Sequence, residues 1–285
     1  MTAPLPGARA GGLDWVELWT AMEAARVAAR AGLEADLGGD RWAPRAARFD
    51  RRSRALGDAD ALAPALEAEL RPADVVLDVG AGAGRHTVRF ARRCREVVAV
   101  EPSPAMRERL ARRLADEALG NVTLVPEAWP LASPRHADVV FSSHVLYGVP
   151  DVVGFITAMT HAARRVAVLS LGLRAPADAL GPLLRRLHGR AIPPRPSALE
   201  AFNLLHQLGL RPTWALVPDS ERVFAFRDAP EDLTELCHRL SLAPTPAALA
   251  RVRAALAAEA QRRDGDLFVL GTTGPNALLS WSPRP

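Results

Sequence analysis

Val75-Val76-Leu77-Asp78-Val79-Gly80-Ala81-Gly82-Ala83-Gly84-Arg85-His86 is the stretch whose reading decides the fold of this chain. Apolar residues bracket one acid, and a glycine–alanine alternation then leads into an amphipathic segment. The pattern predicts a buried strand, a tight turn and a helix near 84–94. Glycine lacks a Cβ and tolerates positive φ, so such a turn lets a ligand lie against bare backbone. Further on, Val97-Val98-Ala99-Val100 reads as a second buried strand ending in Glu101. An acid at that tip is placed to accept hydrogen bonds from ribose hydroxyls. Together the two signals indicate an adenosine-containing ligand.

The dinucleotide pattern G-x-G-x-x-G needs a glycine at position 85, where this chain has Arg85. Its spacing is G-x-G-x-G. The run Asp78, Gly80, Ala81, Gly82, Gly84 resembles motif I of class I S-adenosylmethionine-dependent methyltransferases. Glu101-Pro102-Ser103-Pro104-Ala105-Met106 is similar to that family's acid-x-S-x-x-M run after strand two. Glu127-Ala128-Trp129-Pro130-Leu131, after the strand Val122–Val125, is similar to the segment beside the adenine. Asp138 through Leu146, with Ser142, Ser143 and His144, looks like strand four and its loop. The four segments stand in family order between about residues 70 and 170.

The resemblance implies S-adenosyl-L-methionine as cofactor, S-adenosyl-L-homocysteine as product, and methyl transfer to a small-molecule acceptor. It implies cofactor contacts from Asp78, Gly80, Ala81, Gly82, Gly84, His86, Glu101, Pro102, Met106, Glu127, Ala128, Trp129, Ser142 and Ser143. Asp78 either braces the glycine turn or meets the methionine ammonium through water. Trp129 either covers the adenine or packs at the core edge. His144 is the candidate general base, since an unperturbed imidazole titrates near neutrality. Tyr147, the single tyrosine, either lines the acceptor pocket or packs. Trp42, Arg45 and Phe49 precede the first strand, where many methyltransferases carry a cap, and either face the ligand or pack the cap down.

The chain has 285 residues, 49% of them hydrophobic and 24% charged, which suits one α/β domain with extensions. Strands are expected near 75–79, 97–101, 122–125, 137–142 and 166–170, and helices near 84–94, 103–118 and 151–163. This alternation requires a Rossmann-like, doubly wound, mostly parallel sheet with ligand at the carboxyl strand ends. An N-terminal helical cap is expected over 1–70 and the cofactor-binding core over 71–175. Residues 176–285 are expected to complete the sheet with a helical lid or insertion, or to supply a homodimer surface. Within the cap, a helix from Leu13 to about Leu37 places Trp15, Leu18, Trp19, Met22 and Val27 on one side. Later strands are expected at Thr213–Val217, Arg222–Phe226 and Asp266–Leu270. The tail Ala277–Trp281 reads as an edge strand.

Net charge is +4 and every basic side chain other than histidine is arginine. Arginines cluster at Arg89, Arg92, Arg93 and Arg95, then at Arg107, Arg109, Arg112 and Arg113. They read either as a nucleic-acid footprint or as the solvated faces of two helices. The chain lacks the N/D-P-P-Y/F signature after strand four and any Pro-Cys nucleophile, which favours a small acceptor over nucleic acid. The two cysteines and seven histidines show no metal-ligand spacing, so no metal is expected. No apolar run of about twenty residues indicates a membrane span, and a cytoplasmic setting is expected. Alternatives are an rRNA or tRNA methyltransferase, and a non-catalytic cofactor-binding protein. A nicotinamide oxidoreductase is disfavoured by Arg85.

Overall fold

The computed structural model describes residues 12–33, 40, 42–57, 60–217, 223–263, 265–272 and 274–283. The chain opens with α1 (Trp15–Arg30), α2 (Ala43–Leu56) and α3 (Leu62–Glu67). The core follows as β1 (Val75–Val79), α4 (Thr87–Ala91), β2 (Glu96–Val100), α5 (Pro104–Asp116), β3 (Val122–Val125), β4 (Ala137–Ser143), α6 (Val152–Ala162) and β5 (Ala163–Gly172). A 3₁₀ turn at Pro176–Leu180 leads into α7 (Gly181–His188), α8 (Ala198–Gln207) and β6 (Thr213–Val217). The remainder is β7 (Val223–Arg227), α9 (Pro230–Arg239), α10 (Pro246–Glu259), β8 (Gln261–Arg263), β9 (Leu267–Thr272) and β10 (Asn276–Trp281).

Seven strands form one sheet in the order β3-β2-β1-β4-β5-β10-β6. The first five are parallel, and β10 runs antiparallel to both β5 and β6. Every residue of β1 is buried, as expected of a strand covered on both faces. On one face Leu77, Val79, Val140, Leu169 and Leu279 meet α6, α8 and Trp19 of α1. On the other, Val76, Val139, Phe141 and Val168 meet Phe90 of α4 and Leu62 and Leu66 of α3. Local chemistry starts the helices. Asp14 accepts from the amides of Val16 and Glu17, Ser103 from Met106, Asp151 from Gly154, and Ser197 with Glu200 forms a capping box.

Four expectations are corrected. Ala277–Trp281 is not an edge strand: β10 lies between β5 and β6, and Trp281 is buried with its indole N–H on Thr160 Oγ1 at 3.0 Å. The strands expected near 222–226 and 266–270 do pair antiparallel, but outside the main sheet. They are β7 and β9 of a three-stranded sheet, β7-β9-β8. With α7, α9 and α10 this sheet buries a core of its own that includes Leu183, Phe226, Leu236, Val252, Leu256 and Phe268. Between β7 and β9 the chain is helical, α9 and α10, apart from the short β8.

The helix expected over Leu13–Leu37 ends at Arg30, followed by a turn through Gly32 at φ 75°; residues 34–39 lie outside those described. Its buried positions are Trp19, Glu23 and Arg26, whereas Val27 is exposed. Trp19, with the partly buried Trp15, Leu18 and Met22, makes the first half of that face apolar, and Glu23 and Arg26 continue it as buried charges. Finally, the helix after the glycines spans only Thr87–Ala91, because residues 80–86 are consumed by turns. Residues 40–50, unassigned from sequence, supply most of α2.

Because the insertion has its own core, Leu236→Ala should act locally. Removing that buried side chain should cost about 2–5 kcal/mol. Hydrogen exchange should accelerate through 181–188 and 223–272, while amides of β1 and β4 keep wild-type protection. Equal loss in β1 and β4 would show one undivided core.

Candidate functional site

The strand order reverses between β2-β1 and β4, and the glycine turn lies at the carboxyl end of β1 beside that reversal. Gly80, Gly82 and Gly84 adopt φ of 75°, 57° and 84°, a region costly for any residue with a Cβ. Two of them are also demanded by packing. A Cβ on Gly80 would lie 2.3 Å from Val145 Cγ2, and one on Gly84 would lie 2.4 Å from Leu110 Cδ1. Gly82 faces outward to the Phe49 ring of α2, 3.5 Å from where a Cβ would stand. The amides of Gly80 and Ala81 bond the Val100 carbonyl at 2.8 and 3.1 Å, tying the turn to β2.

Glu101 follows β2 and is 5% exposed. Its Oε2 accepts from the Gly82 amide and its Oε1 from the Ser103 amide, each at 2.8 Å. Burial pushes its carboxyl upward, partly opposed by these two amides. Each oxygen retains a further lone pair for a ligand hydroxyl. Ser103 Oγ donates to Asp40 Oδ2 at 2.6 Å, and the Ala105 amide donates to the same oxygen at 3.2 Å. Burial raises the Asp40 carboxyl, but the Ser103 and backbone hydrogen bonds outweigh it and hold the group below its ordinary value. Asp40 was not foreseen, since nothing local in sequence links it to Ser103.

Asp78 sits one residue before the strand end, 3% exposed, and accepts from Thr87 Oγ1 at 2.6 Å. Burial raises it to about 7, against the Thr87 bond and with a small push from Glu101. It braces the turn against α4. His86 is buried between Phe90, stacked at 6.2 Å, and Phe141, edge-on at 5.2 Å. Burial, then Arg85, pushes its imidazole well below the usual range. Arg85, in the third-glycine position, forms a buried fork with Asp60 at 2.7 and 2.5 Å. Asp60 was likewise unforeseen.

Among the described residues, His86 Nδ1 and Nε2, Ser143 Oγ and Ser170 Oγ are buried without a hydrogen-bond partner. Ser143 and Ser170 are paired across β4 and β5 at their carboxyl ends. Unsatisfied buried polar atoms are costly, and a polar ligand reaching the strand ends would satisfy them. Trp42 and Phe49, 41% and 39% exposed, meet edge-on at 6.0 Å on α2, and the Arg45 guanidinium lies 5.8 Å from the Trp42 ring centre. Exposed aromatic rings opposite Gly82 suit a flat apolar ligand part. The cradle, the acid and the unsatisfied atoms therefore fit an adenosyl amino acid.

The loop after β4 carries His144 at φ 57°, left-handed for a side-chain-bearing residue and a strained conformation often found at functional sites. Its amide bonds the Ser170 carbonyl at 2.9 Å. Its Nδ1 is 3.4 Å from the Tyr147 hydroxyl, with the rings stacked at 5.9 Å, and its side chain also bonds Asn276. Burial, then Arg85, lowers its imidazole to about 4. Tyr147 OH accepts from the Gly172 amide at 2.7 Å, and burial raises the phenol. Gly172 and Asn276 are partners across β5 and β10, so the misread tail strand contributes to this loop's anchorage.

Other expected residues stand as follows. Ser142 is buried and donates to the Val79 carbonyl at 3.1 Å. Pro102, Glu127 and Ala128 are exposed at the ends of β2 and β3. Glu127 Oε2 accepts from the Ala132 amide at 3.3 Å. Met106 is buried against Ala46 and Ala83 and packs α2 onto the turn. The Trp129 indole N–H donates to the Phe155 carbonyl at 3.2 Å, with its ring edge-on to Phe155. No group of three or more metal-ligating side chains is gathered among the described residues. No described helix is long and apolar enough to cross a membrane.

Residues 77–169 match the family described as a methyltransferase domain. A probable ribosomal RNA small subunit methyltransferase A of Methanosarcina mazei is 37% identical over 89 residues, covering 31% of this chain and 31% of that protein. A dimethyladenosine transferase of Saccharomyces cerevisiae is 48% identical over 48 residues, covering 17% of this chain and 15% of that protein. The chain thus spans a third or less of the length of these curated relatives. Two solved structures share the fold at a TM-score of 0.53. The YcgJ protein of Bacillus subtilis is 15% identical over 77% of this chain and 96% of its own. A putative methyltransferase of Bacillus halodurans is 14% identical over 79% and 98%.

Two outcomes follow from this geometry. Gly82→Ala should cost about 1–2 kcal/mol, the charge for a left-handed alanine. Gly84→Ala should cost more, because Leu110 must also leave its buried place; denaturant midpoints will rank them. In imidazole-edited NMR, assigned with His144→Gln, the His144 ring should show no titration between pH 5.5 and 8 and should gain its proton only as pH falls through about 4. A midpoint near 6.5 would contradict its burial.

Proposed function

We propose, from the premise that residues 77–169 form a methyltransferase domain, that this chain transfers a methyl group from S-adenosylmethionine to a small-molecule acceptor. The observation that carries the reading is the triple positive-φ glycine turn held by the Glu101 carboxylate at the strand-order reversal. When bound, the cofactor supplies a methyl group on a sulfonium, a good leaving group that needs little covalent help.

The protein's task is then mainly alignment, worth about 7–11 kcal/mol when the reacting atoms are held in line. The turn and Glu101 hold the adenosyl end, with Phe49 and Trp42 covering it. His86, Ser143 and Ser170 meet the amino-acid end. The loop from His144 to Tyr147 faces the acceptor. His144 is neutral at physiological pH, so it accepts a hydrogen bond or a proton from the acceptor atom. With its conjugate acid near 4 it is a weak base. Proton removal therefore contributes less than the about 10²–10⁴-fold of a well-tuned base.

The name of the Methanosarcina mazei relative points to ribosomal RNA as a second acceptor class. The arginines argue for the small acceptor. Arg92 and Arg113 pair with Glu117, Arg89 and Arg93 with Glu67, Arg109 with Asp50 and Arg112 with Glu108. A cavity of about 270 Å³ beside α2 is lined by Arg54, Arg85, Arg89, Arg92 and Arg113 together with Asp60 and Glu117. Guanidiniums held by acids of the same fold offer less charge to a phosphate backbone.

Calorimetry tests the reading. S-adenosylhomocysteine should bind the purified chain and NADH should not. Glu101→Gln should weaken binding about tenfold or more, since an amide cannot accept from both Gly82 and Ser103. No heat from S-adenosylhomocysteine would end the proposal. A steep salt dependence of tRNA or rRNA-fragment binding would move the acceptor to RNA.

A further inference from the structure

We propose that Arg195 is the anion-binding residue of the acceptor site and that the methyl acceptor carries a carboxylate. This rests on the methyl-transfer reading above and names the acceptor's chemical class.

Arg195 lies in the connector Ile192-Pro193-Pro194-Arg195-Pro196, where flanking prolines stiffen the backbone. Its amide donates to Asp178 Oδ2 at 3.1 Å, which pins its position further. Its guanidinium reaches across to Gly148, the residue after Tyr147. A Cβ on Gly148 would lie 2.5 Å from Arg195 Nη1, and Gly148 has φ 77°. The loop that presents His144 and Tyr147 is therefore shaped around this guanidinium, and the Tyr147 phenol feels its charge.

Around Arg26 of α1 gather Arg195, Arg30, Asp178 and Glu23. Asp178 accepts from Arg26 Nη1 with Oδ1 at 3.0 Å and from the Arg195 amide with Oδ2 at 3.1 Å. Arg26 Nη1 also donates to the Pro193 carbonyl at 2.6 Å. Glu23 Oε1 accepts from the Gly148 amide at 3.1 Å. Arg30 Nη2 donates to Ser241 Oγ at 2.6 Å. Arg195 Nε is buried and has no hydrogen-bond partner. A buried guanidinium nitrogen without a partner is costly, and an entering anion held by this side chain offsets that cost. A planar guanidinium held by its backbone suits a carboxylate, which it can meet with two parallel N–H donors. A carboxylate anchored there leaves the rest of the acceptor beside His144.

The test uses the full chain and ligand-observed NMR with benzoate, octanoate, their amides and inorganic phosphate. The carboxylates should bind and the amides should not. Arg195→Gln should weaken carboxylate binding about tenfold or more. Arg195→Lys should keep part of it, because charge remains and the fork is lost. Arg112→Gln on the solvent side of α5 should change nothing, and circular dichroism checks that each variant folds. Unchanged carboxylate binding in Arg195→Gln overturns the proposal, as does the lack of any carboxylate preference in the wild type or a preference for phosphate. S-adenosylhomocysteine is titrated in parallel. Carboxylate binding without it sinks the methyl-transfer reading and keeps the anion site. The reverse result sinks the anion site alone.

Discussion

One buried carboxylate organises the ligand end of this molecule. Glu101 holds the Gly82 amide with one oxygen and the Ser103 amide with the other. Through Ser103 the chain of bonds continues to Asp40 and to the first turn of α5. Glycine turn, second strand, fifth helix and N-terminal cap are therefore joined through one acid. A turn with three residues at positive φ has little stability of its own. Two charge-assisted hydrogen bonds away from water give it one shape. That preorganisation is what a ligand meets on arrival, and it lowers the entropy lost on binding.

The same logic recurs at the 192–196 connector with opposite charge. Arg26 is taken from water by α1, and Asp178, Pro193 and the connector satisfy it. Arg48 of α2 does similar work toward the insertion, facing Glu235 and Asp232 and lying 4.0 Å from the Phe226 ring centre while bonding the Ala225 carbonyl. The cap is thus fastened by guanidiniums to the 176–196 segment and to the insertion. Arginine suits such joints because it stacks, forks and never discharges.

The sequence made the central part of this fold legible for identifiable reasons. β1 through β5 are short apolar runs whose acid or polar tips mark the carboxyl ends, and the glycines announce their turn. Gly80, Gly82, Glu101 and the Ser142–His144 segment were readable because their chemistry is local. What stayed hidden was non-local. Glu23 and Arg26 look like solvent positions on α1 until Gly148 and Asp178 arrive from far along the chain. Asp40, Asp60, Asn276 and Arg195 carry no signal of their own beyond ordinary composition. The tail strand was misplaced because an apolar run does not state its neighbours, and Asn276–Trp281 finds one on each side.

That double pairing has a consequence for assembly. β6 touches the main sheet only through β10, which follows it in the chain after the whole insertion. While the polypeptide is being made, β6 must wait with an unpaired backbone, and β5 keeps an open flank. The insertion, with its own apolar cluster, separates the two strands along the chain. The final zipper is a long-range event, slow by topology and exposed to mispairing until it closes.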